Sequence, residues 1–521
     1  KNIKPVIHLD IMPRFSFYTQ KYSNLNKSAN SYTGGLDIKY SINESFTLDM
    51  MLIPDFGQEQ SDDQILNLSP YETFYNEKRF FFTEGVEIFN KGNIFYSRRI
   101  GKTPSRFNLI EGTLEEHELI LENPKQTQIY NATKISGKTN NGFGIGFFNA
   151  FTGNTYAQII DTNTNETRNF MTEPFANYNV LAVNIPIRNN SYFSLTNTNY
   201  ASLGRDYVSD VWAQEATIRT KSNNWALFER FSQSNIFDDT LKADKGFSYR
   251  VAISKTSGKF RISLSQTAYD DNYNPNDLGY LQQNNLLTTN ISVAYNIYKP
   301  FWNFISWRNS FTTSQQRLFN NLNIIRTLYT VRSSTKFKNH TSVGVIAVIT
   351  PNEEHDYFEA RVQDKFFVRQ PSHNMTAWVS TNYSKAFAYD IFLDYYYSDS
   401  SSSSPYGISF RYSPRFRLSN NALFVFSQEL RNEYNDIGYV SKTPSEDSIF
   451  FGKRNIKYNT QTIQFDYIFT KKLSLNLKIR HYWSTIDYYE YYILANNGKL
   501  YPLKYSHRYI SNSDLNYNSF S

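Results

Sequence analysis

The chain of 521 residues has a mean hydropathy of −0.55 and no run near the roughly 18 apolar residues of a membrane helix, which excludes an α-helical membrane protein. Its 41 Tyr and 42 Phe bring aromatics to 17%. A chain that is polar on average but apolar at every second position is what a transmembrane β-barrel requires, one face of each strand meeting lipid and the other a wet lumen. The lack of Cys excludes disulfides and thiolate metal sites, and the net charge of +7 is spread through strand-like stretches instead of clustered, so nucleic acid is not an expected partner.

In chain order, alternation predicts strands over residues 6–18, 32–42, 46–53, 142–151, 178–188, 291–298 and 387–397. The clearest hairpin sets Phe247, Tyr249, Val251 and Ile253 against Ser248, Arg250, Ala252 and Ser254, then turns at 256–259 into Phe260, Ile262 and Leu264. A second sets Ile463, Phe465, Tyr467 and Phe469 against Thr462, Gln464 and Asp466. After a turn at 470–472 it continues with Leu473, Leu475, Leu477 and Ile479 opposed by Ser474, Asn476, Lys478 and Arg480. Such strands continue almost without helix signals, which favours one closed barrel over several soluble sandwiches. Counting hairpins gives roughly 20–26 strands, a lumen wide enough to stand open unless something fills it. Short turns such as 257–258 and 471–472 read as periplasmic; the longer polar stretches 159–172, 268–285 and 398–405 read as extracellular loops. Aromatic clusters at 301–302, 395–397 and 488–492 suit the two interfacial girdles. At the C-terminus a strand-like pattern begins at Leu515 and runs to Phe520.

One stretch interrupts the alternation. From Pro54 to Gly101, carboxylates at Asp55, Glu59, Asp62, Asp63, Glu72, Glu77, Glu84 and Glu87 mix with Lys78, Arg79, Arg98 and Arg99. That mixture is costly in lipid but can lie in a wet lumen and pair with Lys and Arg of its wall. The expectation is an internal plug over 54–101; a gating or substrate-binding segment and an extracellular loop are the alternatives.

Catalytic and metal patterns are thin. The seven His show neither HxH nor HExxH spacing, and Glu115-Glu116-His117 and Glu353-Glu354-His355 each supply too few converging ligands. Asp238-Asp239 and Asp270-Asp271 read as turn formers. Carboxylate pairs such as Asp62-Asp63 carry no sign of the spacing that glycoside hydrolysis needs, and GxSxG, P-loop and dinucleotide fingerprints are missing. The expectation is a non-enzyme with no cofactor and no metal.

The interrupting stretch carries a resemblance. Pro54-Asp-Phe-Gly-Gln58, Asn67-Leu-Ser-Pro-Tyr-Glu-Thr-Phe74, Glu77-Lys-Arg-Phe-Phe-Phe-Thr-Glu-Gly85 and Ser97-Arg-Arg-Ile-Gly101 are similar to a signature of large Bacteroidota outer-membrane proteins with a C-terminal domain of unknown function. Tyr273-Asn-Pro-Asn-Asp-Leu-Gly-Tyr-Leu281 resembles a second motif of that family. Glu59, Ser61 and Phe80 stand where the family pattern has Val, Ala and Pro. The resemblance implies a barrel preceded by a signal peptide and a β-sandwich similar to carbohydrate-binding module family 9, and followed by further strands. The expected organisation is therefore a barrel over 1–521, with the binding module and the last strands absent.

Together these readings predict an all-β fold, a large transmembrane antiparallel β-barrel with an internal plug, in the bacterial outer membrane. The residues singled out for the motif and plug are Pro54, Asp55, Phe56, Gly57, Glu59, Glu72, Phe74, Glu77, Lys78, Arg79, Glu84, Gly85, Arg98 and Arg99. The expected role is a channel or the barrel subunit of a larger envelope transport, secretion or assembly complex. The alternative is a surface protein that binds or processes glycans. Expected partners are outer-membrane lipid and lipopolysaccharide, with other envelope proteins and polysaccharide as candidates.

Overall fold

The computed structural model describes residues 8–22, 27–55, 62–238, 243–399, 404–503 and 515–521, with side chains described outside 18–31. The fold is all-β. Helical geometry among the described residues is confined to short 3₁₀ segments, Phe80–Phe82, Lys91–Asn93, Ser97–Arg99 and Phe107–Thr113. Among the described residues, twenty-three strands share one large sheet with antiparallel pairing, a number inside the range that the hairpin count predicts. Among the described residues no strand pairing closes that sheet into a ring. Two small sheets stand apart from it, Glu354–Asp356 with Phe367–Arg369, and Glu118–Glu122 with Thr155–Asp161 and Thr167–Glu173.

The alternating stretches become strands because period-2 alternation lets one pleated face differ wholly from the other. Leu9–Tyr22, Lys27–Ser41, Phe46–Leu52, Gly144–Thr152, Ala176–Ile187, Leu286–Ile297 and Phe387–Ser398 fall where expected. Leu515–Phe520 pairs with His481–Ile486, so the final pattern is also a strand. One loop expectation is corrected. Residues 159–172 are largely strand: Thr155–Asp161 and Thr167–Glu173 form a hairpin, its turn closed by the Asp161 carboxylate accepting the N–H groups of Asn163 (2.7 Å) and Thr164 (3.1 Å). Residues 270–285 do form a loop, and 400–403 of the expected loop at 398–405 lie outside the described residues.

The chain forms two compact units. The first comprises Lys1–Gln60, Phe74–Val251 and Thr267–Leu286; the second Ser61–Thr73, Ala252–Gln266 and Leu287–Ser521. In the first, register aligns Phe148, Val180, Thr198 and Val211 on one face, with Gly146, Ala182, Thr196 and Ala213 in the next row of that face. These are small, polar or buried. The opposite face carries Phe147, Leu181 and Trp212 in one row, each more than 40% exposed. The second unit repeats the arrangement: Leu393, Phe410 and Leu430 align on an exposed apolar face, while Asp394, Ser409 and Arg431 align on the other. A water-soluble sheet with one covered face shows the reverse, polar residues outside and large apolar ones beneath the cover.

Candidate functional site

The segment from Phe74 to Gly101 lies on the small-residue face of the first unit. Phe81, Phe82, Phe89 and Ile100 pack with Ala132, Phe148, Ala150, Tyr178, Val180 and Ala182 of the strands, and Ile94 packs with Val211, Ala213 and Tyr273. The small wall residues are what admit it. Gly92 sits at φ 78°, and a Cβ there would come within 2.6 Å of the Ala213 Cβ, so both the conformation and the approach require glycine.

Within the segment, Glu77 is the point of convergence. Its Oε1 accepts the backbone N–H groups of Lys78 (3.0 Å) and Arg79 (2.9 Å) and the Arg79 Nε–H (2.9 Å); its Oε2 accepts Arg79 Nη2 (2.7 Å) and the Ser97 hydroxyl (2.6 Å). Arg79 also donates from Nη1 to the Ile100 carbonyl (2.9 Å) and from Nη2 to that of Ser97 (2.8 Å), with its guanidinium 4.2 Å from the Phe82 ring centroid. The two halves of the motif, 77–85 and 97–101, are thereby one folded object. Burial pushes the Glu77 carboxyl up, but hydrogen bonding and charge from Arg79, with the Ser97 hydroxyl and the Arg79 N–H, outweigh it and hold the group below its ordinary value. A carboxyl depressed in the folded state stabilises fully above its unfolded value, about 4.3, and that contribution disappears as pH falls through the lower folded value. Melting of the segment's aromatic near-UV signal is therefore expected to drop below about pH 4.3 in the native chain, and to show a flatter pH dependence in Glu77→Gln.

The second motif docks on the first. The Tyr96 N–H donates to the Leu278 carbonyl (2.6 Å), Arg99 Nε donates to the Gly279 carbonyl (2.9 Å), and Phe74 stacks on Tyr96 (4.9 Å) and meets Tyr280 edge-on (5.0 Å). The 270–285 loop is itself tied down, for the Tyr207 hydroxyl donates to Asp277 (2.8 Å) and Tyr273 reaches the Ser232 hydroxyl (3.0 Å).

Strand residues hold the segment from below. Lys134 is 1% exposed; its Nζ donates to the carbonyls of Phe81 (2.8 Å) and Glu84 (2.5 Å) and lies 3.4 Å from Asp49. Lys39 pairs with the Glu84 carboxylate. Further along, Glu215 accepts the Tyr192 hydroxyl (2.7 Å) and the Gly92 N–H (3.3 Å) and lies 3.8 Å from both Lys91 and Arg230.

The remaining motif residues are more dispersed. Pro54 is buried, with Gln128 Nε2 3.5 Å from its carbonyl; Asp55 is half-buried. Phe56, Gly57 and Glu59 lie outside the described residues. Gly85 is exposed at φ 65°. Arg98 donates to the Asn76 carbonyl (2.8 Å) and stands 3.7 Å from Glu77. Glu72 is exposed and belongs, with the rest of 62–73, to the second unit. There Lys478 pairs with Asp63 (3.2 Å), Arg480 and Ser519 donate to the Gln64 carbonyl (3.1 Å each), and Arg361 donates to the Leu68 carbonyl (2.7 Å). Lys134, Lys39, Glu215 and Tyr192 are the residues that motif reading does not single out. Their signal is a charged or phenolic side chain on the small-residue face of an alternating strand.

A family model described as a domain of unknown function, DUF5916, matches residues 5–521. The chain belongs to the DUF5916 family. No curated protein matches it. In this DUF5916 chain no three His, Asp or Glu side chains converge on a metal position among the described residues. The chemistry on display is retention of an irregular segment by buried ion pairs and carbonyl caps on a sheet face.

Proposed function

We propose that this chain is a non-enzymatic outer-membrane β-barrel, its wall the antiparallel sheet and its lumen occupied by the 54–101 segment, acting as a channel or as the barrel subunit of a larger envelope transport, secretion or assembly complex. The observation that carries this reading is the sidedness of both units: rows of large apolar side chains stand exposed on the face opposite the one that bears small and charged residues. Each fully exposed Leu, Ile or Phe forgoes about 1.5–3 kcal/mol of burial in water. Rows of them call for an apolar solvent, and strands can cross a bilayer only where their backbone groups are paired. The segment's ion pairs and capped carbonyls fit a wet lumen, where polar wall residues replace bulk water.

The test is single-channel conductance in a planar bilayer, comparing the intact chain with one lacking residues 59–87. The expected result is a silent intact chain and a conducting deletion. If both insert and both are silent, the lumen is sealed by more than this segment and the barrel is a scaffold subunit. A chain that folds in detergent but does not enter bilayers or vesicles overturns the reading.

A further inference from the structure

The polar face of the second unit holds a cleft of about 530 Å³, a size that suits a small ligand. Its floor is Gly407. The strands Phe387–Ser398, Tyr406–Arg417 and Ala422–Lys442 lie side by side, with Tyr396, Gly407 and Glu433 in register and Asp394, Ser409 and Arg431 in the adjoining row. Gly407 does not have a positive φ, and a Cβ there would meet nothing closer than the Asn432 carbonyl at 3.5 Å. Neither backbone conformation nor crowding asks for glycine at this second position of the strand. What the missing side chain leaves is room for an approaching ligand.

The wall beside it is shaped by a bulge. Register slips between Glu433 and Asp436, with Asn435 in the left-handed region (φ 57°). Bulges re-aim side chains, and here Asp436, the first paired residue past the slip, lines the cleft. The lining carboxylates are already partnered: Glu433 by Arg431, Glu429 by Arg411 (3.7 Å), Asp436 by Arg454 (2.8 Å) and Asp394 by the Thr376 hydroxyl (2.5 Å). A strongly charged ligand would have to compete with these pairs. A neutral ligand rich in hydroxyls would not, since each carboxylate oxygen keeps a further lone pair and each guanidinium further N–H groups. The Tyr396 ring, in the same row as Gly407, supplies flat apolar surface for its C–H bonds.

We propose that this cleft binds a neutral saccharide, with hydroxyls against the carboxylate and guanidinium groups of the strands and a ring face against Tyr396. The proposal rests on the barrel reading only in setting the cleft on a lumenal wall.

The experiment is calorimetric titration of the full chain, folded in detergent micelles, with neutral gluco-, manno-, galacto- and xylo-hexasaccharides, hexagalacturonate as the anionic probe and hexalysine as the cationic one. Saturable binding of at least one neutral hexasaccharide, with Kd below about 1 mM, is expected. Gly407→Leu and Tyr396→Ala should each weaken it by about tenfold or more, whereas Gly407→Ala, whose methyl fits without movement, should retain it. Heat-modifiable gel mobility checks that each variant folds. No binding of any neutral probe, binding unchanged in Gly407→Leu and Tyr396→Ala, or preferential saturable binding of a charged probe each overturns the proposal. Failure of the barrel reading shows separately, as failure to insert into bilayers.

Discussion

Glu77→Ala is expected to release the 74–101 segment while leaving the strands paired. The substitution removes the carboxylate from a guanidinium that is 8% exposed, and leaves the Ser97 hydroxyl and the N–H groups of Lys78 and Arg79 without their acceptor. Breaking one side of a buried ion pair costs about 3–5 kcal/mol, because the surviving charge stays buried without its counter-ion. The loss falls on the contact that joins residues 77–82 to 97–100, so the opening is local. Trypsin provides the readout, since Lys78, Arg79, Arg98 and Arg99 are its natural cleavage sites. With opening fast relative to cleavage, the cleavage rate follows the open population and rises about tenfold for each 1.4 kcal/mol lost. Glu77→Gln, which keeps an acceptor oxygen, should fall between the native chain and Glu77→Ala. Adding Arg79→Met to Glu77→Ala should recover part of the loss by removing the orphaned charge. Cleavage at Arg79 and Arg98 no faster than in the native chain would show that the segment is held by packing of Phe81, Phe82 and Phe89 alone.

The strands were legible because alternation needs only neighbours in sequence. Leu473, Leu475, Leu477 and Ile479 against Lys478 and Arg480 already distinguish the exposed apolar face from the one that meets residues 63 and 64. The 155–173 hairpin was not legible, because its second strand reads Thr-Arg-Asn-Phe-Met-Thr-Glu, with no clean alternation, and its Asn- and Thr-rich turn resembles a long loop. The 54–101 segment stood out as an object through its charge and its departure from alternation. Its partners did not stand out. Nothing local in sequence sets the Leu278 carbonyl against the Tyr96 N–H or brings Lys134 under residues 81–84, since those contacts exist only once strand register is fixed. The cleft over Gly407 is less legible still, because it depends on a side chain that is missing and on a bulge two strands' width from Asp394.

Lys134→Met tests whether the wall, as well as the segment's own ion pairs, holds the segment in place. Methionine fills nearly the same volume beside Phe81, whose ring centroid lies 4.7 Å from the ammonium, so packing is largely conserved. What disappears is the donor to the carbonyls of Phe81 and Glu84 and the positive charge 3.4 Å from Asp49. Two capped carbonyls and a carboxylate lose their partner at once, so a loss of about 3–5 kcal/mol is expected, in the range for breaking a buried pair. Hydrogen exchange locates it: the amides of Phe82 and Thr83, bonded to the Arg79 and Phe80 carbonyls, should lose protection by about tenfold per 1.4 kcal/mol, while those of the Gly144–Thr152 strand should not. Asp49→Asn introduced with Lys134→Met should cost less than the sum of the two single changes, because the unpaired carboxylate is then gone. Strict additivity would mean that Asp49 and Lys134 do not act as a pair. Unchanged protection at Phe82 and Thr83 would mean that Glu77 and its partners hold the turn without help from the wall.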